Sequence, residues 1–298
     1  MKTFLIILFA VLTANISHAQ TTPAAMQLLE KIKTELAAQK GNFALAFTDL
    51  QTHETVLLNE KETFHAASTM KTPVMIEVFK QAAAGKFSLA DKVPVKNEFK
   101  SIVDGSIYHL DSTDDSQQEL YKQTGTQIPL SELVYQMIIK SSNLATNLII
   151  EMVDGKKVTQ TMRDLGAMDI LVLRGVEDQK AFDKGLNNTT TAYDLMVIFN
   201  QMAEGRIVGK KSCDEMIKIL LDQTHNTLIP ALLPKEVKVA HKTGTITGVH
   251  HDSGIIFLPD GRKYTLVILS KNLQDDTAAT ASMARVSEMV YNYVMSKK

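Results

Sequence analysis

Met26, Leu29, Ile32 and Leu36 recur at helical spacing, which predicts a first helix of about three turns ended by Gly41-Asn42. Phe43, Leu45 and Phe47 then alternate with smaller residues, the pattern of a strand with one buried face; Gln51 to Glu54 reads as a turn and Thr55 to Asn59 as a second strand. Val74, Met75, Val78 and Phe79 form the next helical stripe, with Gly85 as its stop. Periodicity is weak from Phe87 to Gln127, and Asp111 to Gln118 is polar enough to be a loop. Tyr108 and His109 are candidates to line a cleft, with surface packing the plainer reading of both. Three helices follow, on Leu130 to Ile138 behind Pro129, on Leu144 to Met152, and on Val158 to Leu165 before Gly166. Arg174 to Thr191 is long, polar and without period. Helices near Tyr193 to Ala203 and Cys213 to Leu221 precede a short apolar run, Leu228 to Leu233. The end of the chain changes character: Val237, Val239 and His241 alternate, Ser253 to Leu258 and Tyr264 to Leu269 flank the turn Pro259-Asp260-Gly261, and Met283, Val286, Met289, Val290 and Tyr293 make a last helix.

Strands therefore lie near both ends and helices in the middle. The expected fold is α+β, with one antiparallel sheet built from both chain ends and flanked by the terminal helices, plus an all-helical lobe. The boundaries expected are an α/β lobe from about 24–62 and 236–298 and a helical lobe over about 63–235, together one domain spanning 20–298.

Composition adds compartment and removes some partners. Lys2, the apolar run Phe4 to Val11 and Ser17-His18-Ala19 read as a signal peptide over 1–19, cleaved after Ala19, too short to span a membrane stably. The protein is then expected outside the cytoplasm, in the periplasm, free of the membrane after cleavage, as a monomer. At 45% hydrophobic and 22% charged residues the chain is of ordinary globular type, and a formal charge of −1 makes no case for nucleic acid or an anionic membrane. Cys213 is the only cysteine, so no internal disulfide exists; it reads as a small packing residue.

The candidate chemistry begins at Ser68 and Lys71. Three residues apart at a helix start, on which Pro73 is tolerated only in the first turn, they share one face. A serine needs a neighbour to take its proton, and a lysine held partly neutral can do so. Ser141-Ser142-Asn143 and Lys242-Thr243-Gly244-Thr245 come later. Each alone has a plainer reading as a helix cap, or as strand and turn. Together they are more telling: the chain has one S-x-x-K and one K-T-G, and its other S-x-N, Ser270-Lys271-Asn272, is out of order. Adjacent histidines in His250-His251-Asp252 would point to opposite faces of a strand, so a metal-hydrolysis site is not expected there.

These three motifs in this order resemble the class A β-lactamases and, more widely, the penicillin-binding serine hydrolases. Phe64 to Pro73, Thr189-Thr190-Thr191 and Lys242 to Thr245 are similar to the family's usage, and the resemblance covers nearly the whole mature chain. It implies that Ser68 is the acylated nucleophile and that Lys71 accepts its proton or helps the group that does. Ser141 would relay a proton to the leaving nitrogen, and Asn143 would contact the substrate amide. Lys242 would supply positive charge, Thr243 and Thr245 would bind the substrate carboxylate beside Gly244, and the N–H groups of Ser68 and Thr245 would form the oxyanion hole. Glu177 matches the glutamate that activates the deacylating water, with Asp178 as runner-up and Arg174 as a loop anchor.

The chain departs from the family in three places. Ser142 stands where an aspartate is usual. Ala181 stands where an asparagine helps hold the water, with Asn187 and Asn188 as substitutes to consider. The spacing from Ser68 to Ser141 is long, consistent with an insertion beside the cleft. The resemblance thus implies a small-molecule β-lactam substrate and no cofactor. The alternatives are a D-Ala-D-Ala peptidase acting on cell-wall peptide, and a penicillin-binding protein or sensor that acylates without turnover.

Overall fold

A computed structural model describes residues 22–297. The predicted signal peptide lies outside the described residues. The first helix, α1 (Pro23–Ala37), begins behind Thr22, whose hydroxyl accepts the N–H of Ala25. Strands β1 (Asn42–Asp49) and β2 (Thr55–Leu58) follow, and β3 (Lys238–Ile246), β4 (Val249–Phe257) and β5 (Lys263–Lys271) close the chain before the last long helix. The sheet order is β2-β1-β5-β4-β3, all antiparallel, with Phe47 opposite Leu266 and Gly244 opposite His251. The first and last strands meet in the middle of the sheet, so neither chain end can complete it alone.

Two cores form on the two faces of this sheet. Phe43, Leu45, Phe47, Leu266 and Ile268 pack under α1 and the C-terminal helix (Asp276–Ser296), joined by Leu28, Ile32, Val286 and Val290. Ala44, Ala46, Val267 and Leu269 face the helical part of the chain. Each large side chain fully withdrawn from water contributes roughly 2 kcal/mol. β1 thus departs from the expectation of one buried face: Phe43 to Asp49 are buried on both. The small Ala44 and Ala46 read as exposed in a period-2 pattern, whereas their size lets the helix Ala192–Ala203 lie against β1 and β5. The face of α1 is also rotated from the expected one. Ala25 and Leu28 are buried while Met26 is 51% exposed, because a small residue fits where helix and sheet approach closely. β4 starts at Val249, earlier than the expected Ser253, because it pairs along the full length of β3.

The middle of the chain is helical, as expected: α2 (Lys71–Ala83), α3 (Leu130–Ile139), α4 (Asn143–Val153), α5 (Gly155–Asp164), α6 (Gln179–Asp183), α7 (Ala192–Ala203) and α8 (Lys210–Leu221). α2 is buried on nearly every side among α3, α4, α5 and α8. The aperiodic segment 87–127 contains one short ladder, Phe99–Lys100 with Ile107–Tyr108, and a 3-10 turn, Gln118–Gln123, and its Lys92–Pro94 pairs with Gln127–Pro129. No helix among the described residues is long and apolar enough to cross a membrane. Cys213 is buried, its thiol against the carbonyl of Ile207.

Candidate active site

Ser68 sits on a 3-10 turn, Ala67–Met70, immediately before α2, with Lys71 as the first residue of the α-helix and Pro73 within its first turn. The turn is strained: Ala67 has φ +44°, a region an alanine seldom occupies. Two histidines hold it. The His65 ring accepts the N–H of Ala67 through Nδ1 at 3.0 Å. Behind it, a neutral His251 of β4 donates from Nε2 to the carbonyl of His65 at 2.9 Å, while its Nδ1 stands between the Ser270 N–H at 3.2 Å and the His250 carbonyl at 2.9 Å. Burial pulls His251 down to about 4, in keeping with that neutral form.

The edge strand β3 runs past the same turn. A Cβ on Gly244 would lie 3.0 Å from the backbone nitrogens of both Ser68 and Thr69. Only glycine lets β3 come this close, and the approach sets Thr245 beside the nucleophile turn. Lys242, two residues earlier, is wholly buried, and its ammonium donates to Ser141 Oγ at 3.0 Å and to the carbonyl of Thr243 at 2.8 Å.

Lys71 reaches the same serine from the other side. Its Nζ donates to the Ser141 carbonyl at 2.6 Å, to Ser141 Oγ at 3.2 Å and to Asn143 Oδ1 at 3.0 Å. Two buried ammonium groups thus share one hydroxyl. Burial pulls Lys71 down to about 7, opposed by the charges of Asp115 and Glu177. Lys242 is also lowered, by burial and then by the charge of Lys71, with Asp252 opposing. Burial thus favours an uncharged Lys71, the form that can accept a proton. Ser141 itself has φ +55°, and Ser142 caps α4 by accepting the N–H of Ala145.

Glu177 enters from the long loop. Its Oε1 accepts from Asn143 Nδ2 at 2.7 Å, so a single asparagine links the carboxylate to Lys71. Its backbone is also left-handed, φ +62°. Burial raises Glu177, partly offset by the bonds from Asn143 and the Asp111 N–H. The loop is held by internal bonds: Arg174 donates to the carbonyls of Leu186 and Gly175 and to Asn187 Oδ1. Asn188 accepts the N–H of Leu173 and Arg174 and donates back to the Arg174 carbonyl. Asn147 of α4 accepts the N–H of Val176 and donates to its carbonyl, and the Tyr108 hydroxyl donates to that carbonyl at 3.3 Å. Gly175 is required there, since a Cβ would meet Asn147 Oδ1 at 2.3 Å.

These bonds correct several expectations. Asn187 and Asn188 commit their side-chain bonds to the neck of the loop, and Asn188 also lines the cleft. Asp178, the runner-up base, is buried and engaged with the Ser101 hydroxyl at 2.8 Å, the Ile102 N–H and the start of α6. Tyr108, half-buried, packs beside Phe99 and also tethers the loop. Ala181 is fully buried and offers no polar atom from its side chain. His65, Asp115 and Asn147 were not singled out by sequence; each acts on a residue or segment through backbone or long-range bonds that no short pattern encodes.

Ser68, Ser141, Asn143, Glu177, Thr243 and Thr245 line one open cleft of about 740 Å³. His250, His251 and Asp252 do not converge. His250 bonds Thr280, His251 turns to the opposite face, and Asp252 pairs with His241 at 2.8 Å. Among the described residues no group of three or more His, Cys, Asp or Glu side chains gathers as metal ligands would.

Comparison with known proteins agrees with this geometry. The chain is 22% identical to the beta-lactamase VEB-1 of Pseudomonas aeruginosa, over 99% of this chain and 98% of that one. It is 25% identical to the extended-spectrum beta-lactamase PER-1 of the same organism, over 98% and 97%. Among solved structures it is similar to PBP-A, with a TM-score of 0.77, 25% identity, and coverage of 90% of this chain and 96% of that one. A family model described as the beta-lactamase enzyme family matches residues 27–294. On that match, which spans most of the chain, the protein belongs to the beta-lactamase enzyme family.

Proposed function

We propose that this protein is a secreted, periplasmic serine hydrolase that opens the β-lactam amide through an acyl-enzyme on Ser68. The observation that carries the reading is the convergence of Lys71 and Lys242 on Ser141, beside a nucleophile turn that Gly244 alone can approach. Ser68 Oγ attacks the lactam carbonyl carbon, and its proton passes to Lys71. The backbone N–H groups of Ser68 and Thr245 hold the tetrahedral oxyanion, each such donor contributing about 3 kcal/mol to the transition state. The C–N bond then breaks as the Ser141 hydroxyl, flanked by both lysines, delivers a proton to the ring nitrogen. Thr243, Thr245 and the charge of Lys242 receive the substrate carboxylate, and Asn143 orients the amide side chain.

Deacylation falls to Glu177, which takes a proton from water as the water attacks the Ser68 ester. A raised carboxylate in a half-buried site is suited to that exchange. A second reading, a penicillin-binding hydrolase with slow turnover, is favoured by Ala181, whose buried methyl offers no polar atom from α6 to hold a hydrolytic water. Mass spectrometry of the mature protein mixed with a penicillin, sampled from seconds to hours beside nitrocefin hydrolysis, separates the two. Turnover with a transient adduct on Ser68 supports the hydrolase. A lasting adduct with negligible turnover moves the protein to the second reading. Adduct formation that survives Ser68→Ala removes Ser68 from both.

A further inference from the structure

Ser142 replaces the aspartate usual in the middle of the motif, yet the first turn of α4 still has a carboxylate. It comes from a different segment. Asp115, in the loop after Leu110, is 3% exposed. Its Oδ2 accepts the N–H of Asn143 at 2.8 Å, the N–H of Leu144 at 2.9 Å, the Ser142 hydroxyl at 3.3 Å and the Tyr121 hydroxyl at 3.0 Å. Its Oδ1 accepts the N–H of Gln117 at 2.9 Å. The carboxylate therefore occupies the helix N-terminus, where free N–H groups and the dipole favour negative charge.

We infer that Asp115 is the positioning carboxylate of this active site. It holds the Ser141–Asn143 turn in place and supplies negative charge facing the buried Lys71, while Asp252 faces Lys242. The turn it grips is the one that matters for the chemistry. Asn143, whose backbone N–H it accepts, bridges Lys71 and Glu177 through its side chain. Ser141, one residue before the gripped segment, has a left-handed backbone that must be held by its surroundings. The charged groups facing Lys71 are Lys242 from β3, Glu177 from the long loop, and Asp115. Those facing Glu177 are Lys71, Asp115 and Asp114. Asp115 thus favours the charged form of Lys71 and opposes the charged form of Glu177. Asp115 touches no reacting atom; it acts through Asn143 and through its charge. The inference rests on the roles proposed above for Ser68, Lys71 and Glu177.

Asp115→Asn separates charge from shape, because the amide oxygen can still accept the Asn143 and Leu144 N–H groups. The titration of Lys71 is followed by NMR of protein carrying carbon-13 lysine, assigned with Lys71→Arg, and the acid limb of penicillin labelling is measured on the same preparations. Asp115→Asn should lower the Lys71 midpoint by about one pH unit and move the acid limb the same way. Asp115→Ala, which also frees the turn, should slow labelling about tenfold beyond Asp115→Asn at every pH. A folded Asp115→Asn with both the midpoint and the limb unmoved overturns the inference, since a purely structural residue would change rates without moving them. If Asp115→Asn does not fold, the double variant D115N/S142D decides, because it returns a carboxylate to the same helix start. Folding with a wild-type midpoint supports the inference, and any other result overturns it. Failure of wild-type labelling at Ser68 would fail the functional reading instead, and the Lys71 titration would still judge Asp115.

Discussion

The two sides of the cleft are built differently. On one side, Ser68, Lys71, Ser141, Asn143 and Lys242 stand at the ends of α2 and α4 and on β3, elements locked into two cores. On the other, Glu177 stands on a loop whose only helix, α6, has five residues, and whose shape depends on Arg174, Asn188, Asn147 and Tyr108. In the proposed mechanism acylation is therefore mounted on rigid structure, and deacylation on a segment held by side-chain bonds. The loop also carries Ala181, where the family resemblance implies an asparagine. Such a division allows the second step to vary while the first stays fixed.

Substitutions on each side test this contrast. Lys71→Met should reduce the second-order labelling rate by about 10³ or more, read by mass spectrometry against time. The same variant carries a stability signature. The folded pKa of Lys71 lies near 7 and the ordinary value at 10.5, so between them the unfolded chain binds more protons. Wild-type stability therefore gains as pH rises through that window, and the cost of the buried cation is in full force below it. Lys71→Met removes this slope: its melting temperature relative to wild type should be highest near about pH 6 and fall by about pH 10. An unchanged difference would mean that Lys71 is not held at a lowered pKa.

Glu177→Gln should act on the other side alone, leaving the labelling rate within about threefold while slowing loss of the adduct by about 10³. Equal losses in both steps would erase the division of labour. Gly244→Ala should slow labelling by about 10², because the new methyl presses on the Ser68 and Thr69 nitrogens where the oxyanion must sit. Deacylation passes through the same hole and should fall with it. The smallest effect is expected of Asn188→Ala, which opens the loop neck. It should cost about 2 kcal/mol of stability by thermal melting and slow adduct loss more than adduct formation, by about tenfold.

Much of the rigid side was legible in the sequence. Ser68 and Lys71 are three residues apart, and Ser141 to Asn143 and Lys242 to Thr245 are contiguous, so each motif is a local object on an element that its own apolar periodicity announces. The loop side was legible only as a polar stretch with a glutamate in it. Whether Asn187 and Asn188 face the cleft or the loop neck depends on where Arg174 goes, and spacing carries no such information. The same limit explains the rotated face of α1. Hydropathy selects Met26, whereas the distance to the sheet selects Ala25.

What the sequence determined by itself was therefore the order of strands and helices, the class of fold, and the short motifs whose members lie within one turn or one strand. These are local properties, set by period, capping and backbone restriction. Tertiary structure alone decided that the first and last strands pair at the centre of the sheet and that His251 reaches the carbonyl before the nucleophile turn. It also decided that Asp115 reaches the start of α4. Those pairings join residues 186 apart for His251 and His65, and 28 apart for Asp115 and Asn143. Contacts of that range arise from how packed elements close around a shared core, and a carboxylate or imidazole carries no mark in the sequence of which distant backbone group it will meet.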